Sequence, residues 1–343
     1  MMLGDLGANV LKVERPGSGD DTRGWGPPFD ETGQSAYFLA VNRNKLSIAA
    51  DLAGAEGSAV IRRLIGDADV VVDNFTRGTL ERWGLSPQTL LAVHPRLVWC
   101  TITGFGAASD RPGYDFVVQA ESGWMAITGA PSGEPTKIGV ALADVIAGKD
   151  AAIAILALLA SRDRVRDAAS RHLTLSLQHS ALAALVNVAQ NALVSGRDAS
   201  RWGNAHPNLV PYELFDALDR PIVIAVGSDG QFAACMRALD LGTLAADARY
   251  RTNAGRLAHR EAVVGAIRER VRTQSAAAWL ARLDAAGVPC GVVKPVLEAL
   301  RDVDASPLTG VAPIAPGTVR RPPPRLDEHG DLVRAHGWAA FET

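Results

Sequence analysis

His179 closes the stretch Arg171-His172-Leu173-Thr174-Leu175-Ser176-Leu177-Gln178-His179, in which leucines alternate with polar residues. A period of two marks a half-buried strand, and the alanine- and leucine-rich residues 180–193 that follow read as a helix. Open α/β sheets place ligands at the carboxyl ends of their strands, and a helix N-terminus there favours anions and biases an imidazole toward its neutral form. Such a histidine can act as a base or nucleophile; it can equally do no more than hydrogen-bond the first helical turn. Asp115 and Asp144 are the other acidic candidates, although Asp144 precedes an apolar run and fits a helix cap as well. Tyr114, beside Pro112 and Gly113, offers a phenol that can hydrogen-bond a carbonyl or simply shape a turn. Arg15 and Arg82 have the planar, permanently charged head that binds phosphate bidentately, against a plain reading of Arg82 as a solvated helix residue. Asn74 and Phe75 follow an apolar run, where Phe75 is either a binding surface or a core side chain.

Those groups need strands that end near one another. Residues 9–13, 69–72 and 97–102 read as short apolar strands, 56–65 as an amphipathic helix, and 151–160 as a buried helix too short to span a bilayer. Buried strands alternating with helices imply a mostly parallel sheet covered on both faces. After residue 195 the texture changes, and 195–211, rich in Gly, Asn, Pro and Trp, reads as a long loop. A strand at 221–226, helices at 231–239, 254–271 and 275–286, and a strand at 290–293 complete a second, smaller α/β domain. The expected organisation is a Rossmann-like large domain over 1–195, a linker over 196–220, a small domain over 221–296, and a segment, 297–343, that returns to the large domain and runs extended around Pro322-Pro323-Pro324.

Composition excludes several classes. The net charge of -2 gives no electrostatic footprint for nucleic acid or an anionic membrane surface. Cys100, Cys235 and Cys290 are odd in number and outside any CxxC spacing, which fits reduced thiols in a cytoplasmic protein rather than a disulfide scaffold. His172 and His179 would fall on opposite strand faces, so no metal site is expected. Gly104-Phe105-Gly106-Ala107-Ala108-Ser109 imitates a dinucleotide fingerprint, but Ser109 replaces the third glycine and Pro112-Gly113 stands where a helix should run.

Further stretches occur in order along nearly the whole chain: Leu6 to Gly17 with its Glu14-Arg15-Pro16 turn, Gly19-Asp20-Asp21-Thr22-Arg23, Asn42-Arg43-Asn44-Lys45-Leu46-Ser47-Ile48, Val72-Asp73-Asn74-Phe75-Thr76-Arg77-Gly78 with Leu80-Glu81-Arg82, Pro112-Gly113-Tyr114-Asp115, and Gly203-Asn204 with His206-Pro207-Asn208. Together with the His179 segment, this series resembles family III CoA transferases, the CaiB/BaiF group with its formyl-CoA transferase and α-methylacyl-CoA racemase relatives.

The resemblance implies an α/β fold that forms interlocked dimers, with coenzyme A bound on the larger domain as acyl-CoA, no metal, and transfer of CoA to a carboxylic acid acceptor. His179 stands where those enzymes carry the aspartate that attacks the thioester. A carboxylate gives an anhydride that CoA thiolate reopens, whereas an imidazole gives an acyl-imidazole that water hydrolyses, so transfer is expected to be impaired. His179, Tyr114 and Asp144 form the implied catalytic set, Tyr114 falling where racemases place a histidine. Arg15 and Arg82 would hold CoA phosphates, Asn74 and Phe75 the adenosine end, with Asp51, Gly113, Tyr114 and Asp115 completing the contacts. Two other activities fit the resemblance: isomerisation at the α-carbon with His179 as base, and a non-catalytic CoA-binding subunit paired with an Asp-bearing paralogue rather than a homodimer. Relatives begin with a strand that is not matched in this chain, so the sheet is expected to lack its first strand or to receive it from an N-terminal extension.

Overall fold

The computed structural model describes residues 1–164 and 167–342. They divide into two units, one of Met1–Trp124, Ile138–Val194 and Asp302–Thr343, the other of Met125–Lys137 and Ser195–Arg301.

The first unit carries five parallel strands. Strand β1 (Val10–Glu14) pairs with β2 (Lys45–Ala49), and β3 (Val70–Asp73), β4 (Val98–Thr103) and β5 (His172–Ser176) form a second ladder in that order. The two ladders are not hydrogen-bonded to each other, which leaves one edge of β1 and one of β3 unpaired among the described residues. Alternation along β4 splits its side chains between two cores. Trp99 enters a cluster with Leu46, Ile48, Ile61, Leu64, Leu91 and Leu97, while Cys100 faces Ala151 and Ile155 on the other side. Each such fully buried aliphatic side chain contributes roughly 1.5–3 kcal/mol, so strands with apolar residues on both faces are held between helices rather than exposed.

The long helix between β4 and β5 runs over Leu142–Ser161, longer than the apolar run alone suggests. It is not wholly buried: Ile153 and Leu156 stand in solvent on its outer side. Asp144 does not cap it. The cap position is Ala141, and the free N–H of Ala143 donates instead to Asp115 Oδ1 at 2.8 Å. The run at 180–193 is two helices, Leu177–Ala183 and Asn187–Ser195, broken near Val186, which has a φ of 43°. A β-branched residue is strained in that region, and the break redirects the chain.

The segment after Asp302 is tied to β2 by the Asn42-Arg43-Asn44-Lys45 stretch. Arg43 makes a bidentate pair with the buried carboxylate of Asp5, at 3.0 and 2.8 Å, and also donates to the carbonyls of Thr309 and Val311. Asn44 donates to Asp5 Oδ1 and the Thr318 carbonyl, and its own carbonyl oxygen accepts from the backbone N–H of Arg320 and Arg321. Removing one partner of so buried a pair costs about 3–5 kcal/mol. The tail is not extended throughout, since Gly330–His336 is helical and Val333 packs into the same core as Leu46 and Ile48.

The second unit has an antiparallel sheet of β6 (Tyr212–Asp216), β7 (Pro221–Ala225) and β8 (Cys290–Val292). Phe215, Ile222 and Ile224 pack under helices that bring Phe232, Ile267 and Trp279. The helical stretch at 254–271 is interrupted at His259, giving Asn253–Ala258 and Arg260–Val271. No helix among the described residues is long and apolar enough to cross a membrane.

Candidate active site

At the carboxyl ends of β3, β4 and β5 the first unit holds a cavity of about 980 Å³. That is the upper end of what a small-molecule or cofactor site occupies, and it lies where parallel strands place ligands.

Its floor is a polar row set by strand register. Asp73 lies opposite Thr101, and Thr101 opposite Thr174, so the three side chains share one face, and His172 joins them two residues earlier on β5. Asp73 Oδ2 accepts from Trp99 Nε1 and Thr101 Oγ1, both at 2.7 Å, and its Oδ1 accepts from the Phe75 backbone N–H at 3.1 Å. The Thr101 hydroxyl is 3.0 Å from His172 Nε2. Burial holds the His172 imidazole below its usual value, against the opposing pull of Asp73 and Glu81. Asp73, Thr101 and His172 are far apart in the chain, and only strand pairing brings them together. The available signal was Asp73, the polar residue that ends the apolar run 70–72.

One wall carries Asp144, on the first turn of the helix Leu142–Ser161. Its side chain opens onto the cavity and accepts no hydrogen bond among the described residues. Desolvation by the surrounding wall, and then the carboxylate of Asp115, push it up to about 6. Asp115 is itself satisfied by Gln119 Nε2 at 2.7 Å and by the Ala143 N–H, and does not line the cavity. Tyr114, largely exposed, lines it, as do Gly113, Asn74 and Phe75, the last packed edge-on against Trp83.

The loop over 104–113 forms one rim, and its neck is closed by two glycines. A Cβ on Gly104 would fall 2.4 Å from the Gly113 Cα, and one on Gly113 would fall 2.1 Å from the Gly104 Cα, so only glycine fits at either place. Gly113 therefore has a backbone-packing role as well as its place on the wall.

The remaining sequence candidates do not line the cavity. His179 is exposed on the first turn of Leu177–Ala183, its backbone N–H donating to the capping hydroxyl of Ser176 at 3.1 Å. Arg15 is exposed and paired with Asp21, which does line the cavity. Arg82 donates to Thr79 Oγ1 at 2.8 Å on its own short helix. Asp51 accepts from the Ala53 N–H at 3.1 Å and shapes the turn before Ala55–Gly66. Arg77, from the Val72 to Gly78 stretch, and Arg111, to which no role was given, are on the wall instead. Among the described residues no group of three or more His, Cys, Asp or Glu side chains is placed to hold a metal.

Residues 1–330 match the sequence model of CoA-transferase family III. The chain belongs to that family. Its curated relatives include succinate–glutarate CoA-transferase of Agrobacterium fabrum, 40% identical with 97% of this chain and 90% of the relative covered. Succinyl-CoA:glutarate CoA-transferase of Mus musculus is 41% identical, covering 88% of this chain and 69% of the relative. Among solved structures, a CaiB/BaiF family protein from Brucella suis superposes with a TM-score of 0.84 at 40% identity, covering 97% of this chain and 93% of that one. For family III, then, the mixed α/β architecture with parallel strands is as expected from the sequence. The relatives just named are transferases, which does not favour the reading of this chain as an α-carbon isomerase.

Proposed function

We propose that this chain moves CoA from an acyl-CoA to a carboxylic acid, with the cavity over β3–β5 as the CoA site and Asp144 as the carboxylate that carries the transfer. The observation that supports it is the position of Asp144 on the wall of a cavity of about 980 Å³ in a family III chain, while His179 lies off that wall. A carboxylate that accepts no hydrogen bond keeps its lone pairs available for attack.

The steps balance without a co-reactant. An oxygen of Asp144 attacks the thioester carbon, the C–S bond breaks, and CoA leaves as thiolate from a mixed anhydride. The thiolate attacks the Asp144 carbonyl carbon, its C–O bond breaks, the donor acid departs as carboxylate, and an enzyme–CoA thioester remains. The acceptor carboxylate then attacks that thioester and expels the thiolate, which attacks the acceptor acyl carbon to give the new acyl-CoA and regenerate Asp144. Tyr114 is positioned to hydrogen-bond a carbonyl oxygen as charge develops on it.

Dicarboxylic acids are the acceptor class favoured by the names of the Agrobacterium and mouse relatives. A homodimer is supported by the exposed apolar residues of neighbouring helices, Phe116, Val117, Ile153, Leu156 and Leu182, and of the turn at Val186, which a second copy would cover. A strand added between the unpaired edges of β1 and β3 would join the two ladders.

The test is incubation of succinyl-CoA with a panel of mono- and dicarboxylic acids, reading new acyl-CoA by mass spectrometry and trapping the enzyme–CoA thioester. Transfer that persists undiminished in Asp144→Asn would reject Asp144 as the carrier; absence of transfer and of thioester from the parent across the panel would reject the function.

A further inference from the structure

We propose that the first unit binds a chloride-sized anion at Arg320 and Arg321, where the segment after Asp302 crosses the start of β1. A partly open cavity of about 20 Å³ lies there, lined by Asn9, Asn44, Arg320, Arg321 and Phe341. A single water needs roughly 10–15 Å³, so the cavity takes one body of that size or a little larger, and a phosphate or a substrate acid does not fit. None of its lining residues lines the cavity over β3–β5, so the site is independent of the CoA reading.

Charge decides the occupant. Both guanidinium heads are held by backbone carbonyls alone: Arg320 Nη2 donates to the Gly4 and Ala8 carbonyls at 2.9 and 2.8 Å, and Arg321 Nη2 donates to the Phe341 carbonyl at 2.9 Å. These acceptors place the first head next to Asn9 along the chain and the second beside Phe341, whose ring centre lies 5.9 Å from the Arg321 guanidinium. Among the described residues neither arginine has a carboxylate partner, and the Nε and Nη1 groups of both donate to nothing. The buried carboxylate of Asp5 does not balance them, since Arg43 and Asn44 occupy it. Asn44 Oδ1 is spent as well, accepting the Arg320 and Arg321 backbone N–H groups at 2.6 and 2.9 Å. Consecutive side chains of an extended segment point to opposite sides, and the bend at Arg321 is what lets both residues reach one cavity. Two adjacent permanent cations repel, and their remaining N–H groups need an acceptor. An anion answers both demands, whereas water answers only the second. The bound anion would tie residues 320–321 to the start of β1 and so act on stability rather than on transfer.

The experiment melts the full chain while sodium chloride replaces sodium gluconate at one ionic strength, for the parent, Arg320→Met and Arg321→Met, and locates bromide in crystals of the parent by its anomalous scattering. The parent's melting temperature should rise saturably with chloride, by about 2 °C, and bromide should give a peak at the two arginines. Methionine keeps much of the side-chain length and removes the charge, so in each variant the chloride response should fall to less than about half of the parent's. The readout is that response, which a lower starting melting temperature from the lost carbonyl contacts does not imitate. Variants that respond to chloride as the parent does, or a bromide map without a peak at Arg320 and Arg321, overturn the site. If a variant fails to fold, the bromide map of the parent decides.

Discussion

Asp73 and Asp144 line the same cavity, but the floor around the first and the wall around the second treat a carboxylate differently. Asp73 receives an indole N–H, a hydroxyl and a backbone N–H, a set of donors that holds the side chain in place and occupies its lone pairs. Asp144 receives none; although it remains exposed to solvent, partial desolvation by the wall and then the Asp115 carboxylate disfavour its anion. A satisfied carboxylate is a poor nucleophile and a good structural post; an unsatisfied one is the reverse. The division of labour follows from partners rather than from residue type.

The largest test of this contrast is Asp144→Asn, which should lower transfer on the order of 10³-fold or more and abolish the trapped enzyme–CoA thioester, with CoA affinity close to that of the parent. Asp73→Asn should do the opposite. An amide keeps only one acceptor oxygen, so its N–H₂ must face either the Trp99 and Thr101 donors or the Phe75 backbone N–H, and stability in urea should fall by about 1–3 kcal/mol while the thioester can still be trapped.

The pH dependence sharpens the contrast. Asp144 attacks as the anion, so kcat should decline as pH falls through about 6, and the decline should follow the protonation of this one group. For stability the sign is reversed. The folded chain keeps the Asp144 proton up to about 6 whereas a free side chain loses it near 3.8, so ionisation works against the fold across that window. Stability should therefore drop as pH rises between those values, and Asp144→Asn should melt above the parent at pH 7, with the gap closing toward pH 4. Equal melting temperatures at pH 7 would show that the wall does not desolvate this carboxylate.

The smallest effects belong to residues off the cavity wall. His179→Ala and Arg15→Ala should leave transfer and CoA affinity within about twofold of the parent, as exposed positions without buried partners usually do. A large loss in either would move the site toward the positions marked by the family resemblance.

Strand patterns were legible because alternation in β5 and apolar runs in β3 and β4 depend on local burial alone. Asn74, Phe75, Gly113, Tyr114 and Asp144 were named from the sequence and do line one cavity. The polar floor was not legible, since Asp73, Thr101 and His172 are neighbours only through register. Asp115 and Asp144 show the same limit in a smaller span. Asp144 was read as a possible cap of its own helix, and that Asp115 accepts the Ala143 N–H instead depends on how the chain folds back, a tertiary fact that local spacing does not carry. Helix 180–193 was overextended because alanine and leucine propensity continues through Val186, where the chain turns.

The glycine contact between residues 104 and 113 has a consequence for how such a cavity can change over time. With both ends of the loop pressed backbone to backbone, the distance that the sheet must bridge no longer depends on what lies between them. Residues 105–112 can be lengthened, shortened or exchanged, altering the charge and shape of the rim, while the strands, the floor and the helix bearing Asp144 stay in register. Any side chain at either glycine would spread the neck and move everything at once. The pinch makes the rim a replaceable part, on which new ligand preferences can accumulate without a stability cost to the sheet beneath it.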